Sequence, residues 1–237
     1  GVVDGGTGNL TLATSNLLAA NTGSETSATA RGTGTLTVKP TVAASVGVGA
    51  AATGDLLLTE ALLSTFQDGF RYVTLGDTAK TTTLTVNTTR TFTDSLALVN
   101  SGTSPMVLNS TVDVGGNTLT LTSGGTVSGS GNILADKLLL NGSGDYTLAT
   151  ATGHRINTIA AATPNTVDFI NQQSFEVGTA SPPSNVAVEG VSTATAVTLE
   201  ASGAASNFTV TKGVNTPLMT LVAGGCLIML GAGQVVI

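Results

Sequence analysis

The sequence predicts an all-β chain wound as a right-handed parallel β-solenoid, and three observations carry that expectation. Short strand-like runs recur about every ten residues. Aromatics are only 3% of the chain, with no Trp, and charged residues only 9%. Thr is abundant, at 43 of 237 residues, beside 30 Gly. A wide globular interior needs ring-sized side chains, whereas a thin one can be filled by Val, Leu, Ile and Ala. Thr is β-branched, favours strands and tolerates water, so it suits the outer face of a strand whose inner face is apolar.

Along the chain, NLTLA (9–13), GTLTVK (34–39), TTLTVN (82–87), NTLTLT (117–122), KLLLN (137–141), DYTLAT (145–150), AVTLEA (196–201) and NFTVTK (207–212) alternate apolar with small polar residues. That period of two marks half-buried strands. GG, SG, NG and GSG separate them as turn formers. From Lys137 the strands start near 137, 145, 156, 167 and 175. A β-sandwich has similar spacing but calls for aromatic anchors and longer loops, so two or three strands per coil of about 20 residues is the better fit. Coils stacked at about 4.8 Å would make a rod roughly 50 Å long.

One segment departs from this texture. GDLLLTEALLSTFQDGFRYVTLGD (54–77) holds a helical run near 59–66, with Thr59 as N-cap, Leu62, Leu63 and Phe66 on one face, and Gly69 to end it. It reads as a packing excursion or partial cap. The sharper alternative is a docking ledge for a partner, because Phe66, Phe70 and Tyr72 concentrate the scarce rings. SPPSN (181–185) cannot join a sheet interior, since proline lacks the N–H donor, and reads as a loop marking a weak internal boundary in an otherwise single elongated unit spanning 1–237.

The chain begins within a pattern, VVDGGTGNLTLAT, and stops inside an apolar run, GQVVI, so both ends read as cuts from a longer protein. The uncharged stretch 213–237 has the length of a membrane span, but Gly224, Gly225, Gly231 and Gly233 divide it into LMTLVA, CLIML and QVVI. These read as three buried strands, and no membrane insertion is expected. Nothing charged and no proline follows Pro217 to blunt the last strand edge. Val2, Val3 and the run Gln234, Val235, Val236 and Ile237 are therefore expected to pair with adjacent solenoid segments or with other copies end to end.

ADKLLLNGSGDYTLATATGHRINTIAAATPNTVDFINQQSFEVGTA (135–180) resembles repeats of filamentous-haemagglutinin-like adhesins, which are large exported bacterial surface proteins. The matching parts are KLLL, the Gly-containing turn and YTL, INTIAA, VDF and FEVGT. GGTGNLTL (5–12) and GDLLLTEALL…VTLGD look like other pieces of such proteins. The resemblance covers most of the chain and is strongest between 54 and 180. It implies a right-handed parallel β-helix, export to the cell surface or beyond, and a role in adhesion or surface fibres, with host or surface glycans or proteins as partners. It implies no catalytic residues, and the N-terminal secretion domain of such proteins is not recognisable here.

Chemistry-bearing residues are sparse. His154 is the single histidine and reads as a turn residue beside Arg155; no GxSxG elbow accompanies it to complete a triad. Cys226 is the single cysteine and reads as a small buried hydrophobe, without a partner for a disulfide or thiolate metal site. The acids are spread along the chain at one or two per coil, so a polysaccharide-degrading β-helix, the alternative enzyme reading, needs two or three of them to converge in one groove. VVDGGTGNL echoes a calcium-binding nonapeptide without its second Asp or a tandem copy, and the same GGTG lacks the Lys of a phosphate loop. An ice-binding face would need Thr81-Thr83-Thr85 and Thr118-Thr120-Thr122 to be matched on every coil. Eight Lys and Arg against a net charge of −6 leave no basic stripe for nucleic acid. No cofactor or metal is expected.

Overall fold

In the computed structural model, residues 1–16, 29–50, 53–88, 90–230 and the Val235–Val236 strand are described. Their strands are short and stack in parallel, each on one about a coil earlier in the chain. A thirteen-stranded sheet and a nine-stranded sheet form two faces of the coil. A narrower third face holds Val2–Asp4 on Thr29–Arg31, Val112–Asp113 on Ile133–Leu134, and single bridges such as Ala30 to Phe66. The parallel β-solenoid expected from the strand beat is the fold observed.

Register explains the core. Leu36, Val73, Leu96, Leu119, Leu138, Ile159, Val177 and Val210 are successive partners in one inward column, and all are buried. Leu96 meets Leu119, 23 residues on; Leu119 meets Leu138, 19 on; Ile159 meets Val177, 18 on. Coils therefore run close to the expected 20 residues. Because side chains alternate across a strand, one such register places every second residue inside and none can slip alone.

Two coils are longer. Between the Thr35–Lys39 and Tyr72–Gly76 strands, Leu56–Leu58 pairs with Ala44–Val48 and closes one edge of the nine-stranded sheet. A single helical turn, Glu60–Leu63, follows, and the Thr59 hydroxyl caps it by accepting the Leu62 N–H, as expected. The turn ends well before Gly69 because residues 65–67 return to the ladder: Ala30 N–H donates to Thr65 O and Gln67 N–H to Ala30 O.

The second long coil contains 181–185. The segment leaves the sheet at Gly178 and re-enters at Gly190, whose N–H donates to Gly178 O. Between them Thr179–Ala180 and Val188–Glu189 form a small antiparallel pair. The ladder runs on beneath: Thr158–Ala162 pairs with Phe175–Val177 through its first half and with Val191–Ser192 through its second. The proline segment therefore makes no break in the sheet and lies as a strap across its outside. Arg71 donates to Pro183 O and Asn185 Oδ1, and Tyr72 Oη to Ser181 O, across more than a hundred residues of sequence. Ala180 and Val188 pack on Leu139 and Ala160, outward residues that are fully buried under the strap.

Inside, the rule of aliphatic core and Thr, Ser or Asn exterior needs amendment. Tyr146, Phe169 and Phe208 rank among the largest fully buried side chains, and Thr81, Ser123 and Asn171 are buried at polar positions. Asn171 accepts the Ile156 N–H and donates to Ile156 O and Gln173 O, which satisfies the corner it occupies.

Candidate functional site

Each residue with chemistry in its sequence context has a definite structural place. His154 is a core residue with no exposed surface, not a turn residue. Its Nδ1 accepts the Ile133 N–H at 2.8 Å, so that nitrogen carries no proton, and Nε2–H donates to Leu148 O at 2.8 Å. The ring stacks on Phe169 at 4.9 Å between centroids, and Phe169, Phe175 and Phe208 continue the aromatic column. Burial holds the imidazole pKa below its ordinary 6.5, outweighing the opposing pull of the Leu148 carbonyl.

Below about pH 6.5 the unfolded chain takes up a proton that the folded one resists, so stability is complete above 6.5 and falls as pH drops. The expected slope is at most about 1.4 kcal/mol per pH unit below that point. Thermal melts from pH 7.5 to 4.5 check it: the wild type should lose more of its melting temperature between pH 6.5 and 5 than His154→Leu does.

The acids do not gather among the described residues, with one exception. Asp94 lies beside Asp68, and its Oδ1 accepts the Gly69 N–H at 3.0 Å. Its pKa is raised, first by burial and then by the Asp68 charge. The adjoining cavity, against Leu63, Phe66 and Phe92, is only about 10 Å³. Two other acids are engaged in structural contacts: Asp4 accepts the Gly6 N–H and pairs with Arg31, and Asp55 accepts the Ser45 N–H and hydroxyl. Among the described residues no three His, Cys, Asp or Glu side chains group to hold a metal.

Phe66, Phe70 and Tyr72 are 9%, 3% and 4% exposed, which corrects the docking-ledge reading. Rings this scarce are worth most inside, at about 25 cal/mol per Å² of apolar surface removed from water. Cys226 is exposed rather than buried, because it follows the Gly224–Gly225 turn at the margin of the sheet. LMTLVA and CLIML do form strands, Leu218–Ala223 and Leu227–Met229, but they are not buried: among the described residues each pairs on one side only, and Leu218, Val222 and Leu227 to Leu230 are exposed. Val2 and Val3 pair with Thr29 and Ala30 and are likewise exposed. Val235–Val236 pairs with Val214–Asn215, whereas Gln234 and Ile237 lie outside the described residues. No described helix is long and apolar enough to cross a membrane.

The threonine rows are interrupted. Thr118 stacks on Lys137, Thr120 between Ala97 and Leu139, and Thr85 between Gly47 and Val107, so no regular Thr ladder forms there. One feature escaped the sequence reading: an open groove of about 430 Å³ across three stacked turns, lined mainly by polar residues, among them Thr91, Asn109, Thr111, Asp113 and Ser130. No protein-family model, curated protein or solved structure matches the chain.

Proposed function

We propose that this chain is a non-catalytic structural and adhesive module of a bacterial cell-surface or extracellular fibre. Neighbouring solenoid coils, from the same protein or from further copies, stack on its ends. The observation that carries this reading is the pair of edge strands, Leu218–Ala223 and Leu227–Met229, which among the described residues pair on one side only and expose apolar side chains, with no charged residue or proline after Pro217. Sheets normally blunt such edges to avoid pairing, so an unblunted one favours a partner. Leu227→Lys with Met229→Lys places two charges on that edge. The variant is expected to sediment as a monomer at concentrations where the wild type forms larger species. Equal sedimentation of the two would count against the proposal.

Carbohydrate cleavage is the second reading, and only the Asp68 and Asp94 pair favours it. Glycosidase carboxyls stand about 5 Å or more apart to flank a sugar bond, whereas Asp94 lies beside Asp68 against a cavity of only about 10 Å³. A raised Asp pKa means stability that is lost as pH rises past 3.8, so removing the charge should help at neutral pH. Asp94→Asn is expected to raise the melting temperature at pH 7 and leave it unchanged near pH 3. Release of reducing ends from a polysaccharide, abolished by the same substitution, would instead establish the enzyme.

A further inference from the structure

We infer that the polar groove on the turns following the nine-stranded sheet binds a neutral saccharide chain. The groove is built by three successive coils whose turns stack one on another. Val86 is in register with Leu108, and Met106 with Val127, which brings Thr88 and Thr91, residues 109–113, and Ser130 and Gly131 side by side. The turns are fastened to each other by the backbone and by side-chain hydroxyls. Gly131 N–H donates to Leu108 O, Ser110 Oγ donates to Thr88 O, and Thr91 Oγ1 donates to Asp113 Oδ2 at 3.0 Å. Gly131 lies so close to the coil below that a Cβ would sit 2.1 Å from Ser110 O, so the third turn adds no side chain there to fill the hollow.

What the groove presents is specific in kind. The side chains of Asn109, Thr111 and Ser130 make no hydrogen bond to the protein among the described residues, although nearly every polar neighbour does. Asp113 has both oxygens engaged, by Thr91 and by the Gly115 N–H, and each keeps capacity to accept another donor. Donors and acceptors carried on stacked, backbone-bonded turns lose little freedom on binding, which favours a polar ligand. The volume lies within the range of small-molecule sites.

The lining selects the ligand class. Neither Lys nor Arg lines the groove and one carboxylate does, within a chain of net charge −6, so uronates and sulfated chains are repelled. A peptide would need a free strand edge or an apolar pocket, and the strands flanking these turns are paired on both sides. A ligand whose surface is mainly uncharged hydroxyls satisfies the amide, the hydroxyls and the carboxylate together. The groove crosses two coil steps, about 10 Å, which fits a short stretch of such a chain. Its biological meaning rests on the surface-module reading, where a fibre flank that holds glycan would be adhesive.

The test is an array of neutral gluco-, manno-, galacto- and N-acetylglucosamine oligosaccharides beside uronate and sulfated chains, followed by titration of any that bind. At least one neutral oligosaccharide should be retained, and Asn109→Ala, Thr111→Val and Ser130→Ala together should weaken it tenfold or more with an unchanged thermal melt. Amide shift changes in the wild type on titration should centre on Thr88, Thr91, residues 109–113, Ser130 and Gly131, which reports the site even if the triple variant folds poorly. Binding of anionic chains alone, binding of nothing at millimolar concentration, or shifts centred elsewhere would overturn the inference. Each of those results would leave end-to-end assembly, read by sedimentation, untouched.

Discussion

Gly129→Val is expected to leave little folded protein at 37 °C, the largest effect of any single change considered. Gly129 has φ +137°, a region that side-chain-bearing residues rarely adopt, and a Cβ there would lie 2.1 Å from Leu108 O in the coil below. Neither problem can relax alone, because coils stack through backbone and the obstructing atom is a carbonyl. Backbone strain and overpacking together cost on the order of 4 kcal/mol or more, much of the stability of an ordinary domain. In a solenoid the damage acts through nearest neighbours, so it should be deepest in the coils around 106–147. Circular dichroism melts with limited proteolysis check this. A melting temperature within a few degrees of wild type would show that the turn tolerates a different backbone.

Phe169→Ala should cost about 3–5 kcal/mol, the usual loss for a fully buried ring. Phe169 has no exposed surface, stacks on His154 at 4.9 Å, and meets Phe175 edge-on at 6.1 Å. Its removal opens a hole in the aromatic column and deprives the neutral imidazole of its covering face. The variant should therefore also melt with a weaker pH dependence, since water reaching His154 lets it protonate in the folded state. Chemical denaturation at pH 7.5 and at pH 5.5 measures both effects. An intact acid sensitivity alongside lost stability would separate the histidine from the column.

The strand beat was legible because one inward register repeats with few changes. Leu-x-Leu and Val-x-Val with Thr between them mark inside and outside locally, and the Thr59 cap is a local signal too. Ala97, Thr120, Leu139 and Ala160 were not legible in the same way. Alternation assigns them outward, yet all four are buried, and the strap packs directly on Leu139 and Ala160. The three consecutive Leu of KLLLN and the Ala run of TIAAA were the available clue, since an outward Leu or Ala in a Thr-rich protein implies a cover. The strap itself looked like a boundary because its partners, Arg71 and Tyr72, lie more than a hundred residues away.

Sites were harder to read than strands. His154 is held by two backbone groups, Ile133 N–H and Leu148 O, which carry no side-chain signature in the sequence. The groove is spread over three turns about 20 residues apart, and Asn, Thr and Ser in turns are too common to stand out. Only the stacking of Val86 on Leu108 and Met106 on Val127 brings them together. Aromatic scarcity pointed the wrong way for Phe66, Phe70 and Tyr72: few rings in a chain means that the interior takes them.

End-to-end assembly requires that the open strand edges be used. Sedimentation across a concentration series, with hydrogen exchange read at the amides of Leu218–Ala223 and Leu227–Met229, tests this most directly. Species that grow with concentration, with those amides protected only in the larger species, are the expected result. A monomer at every concentration whose edge amides are already protected would contradict it.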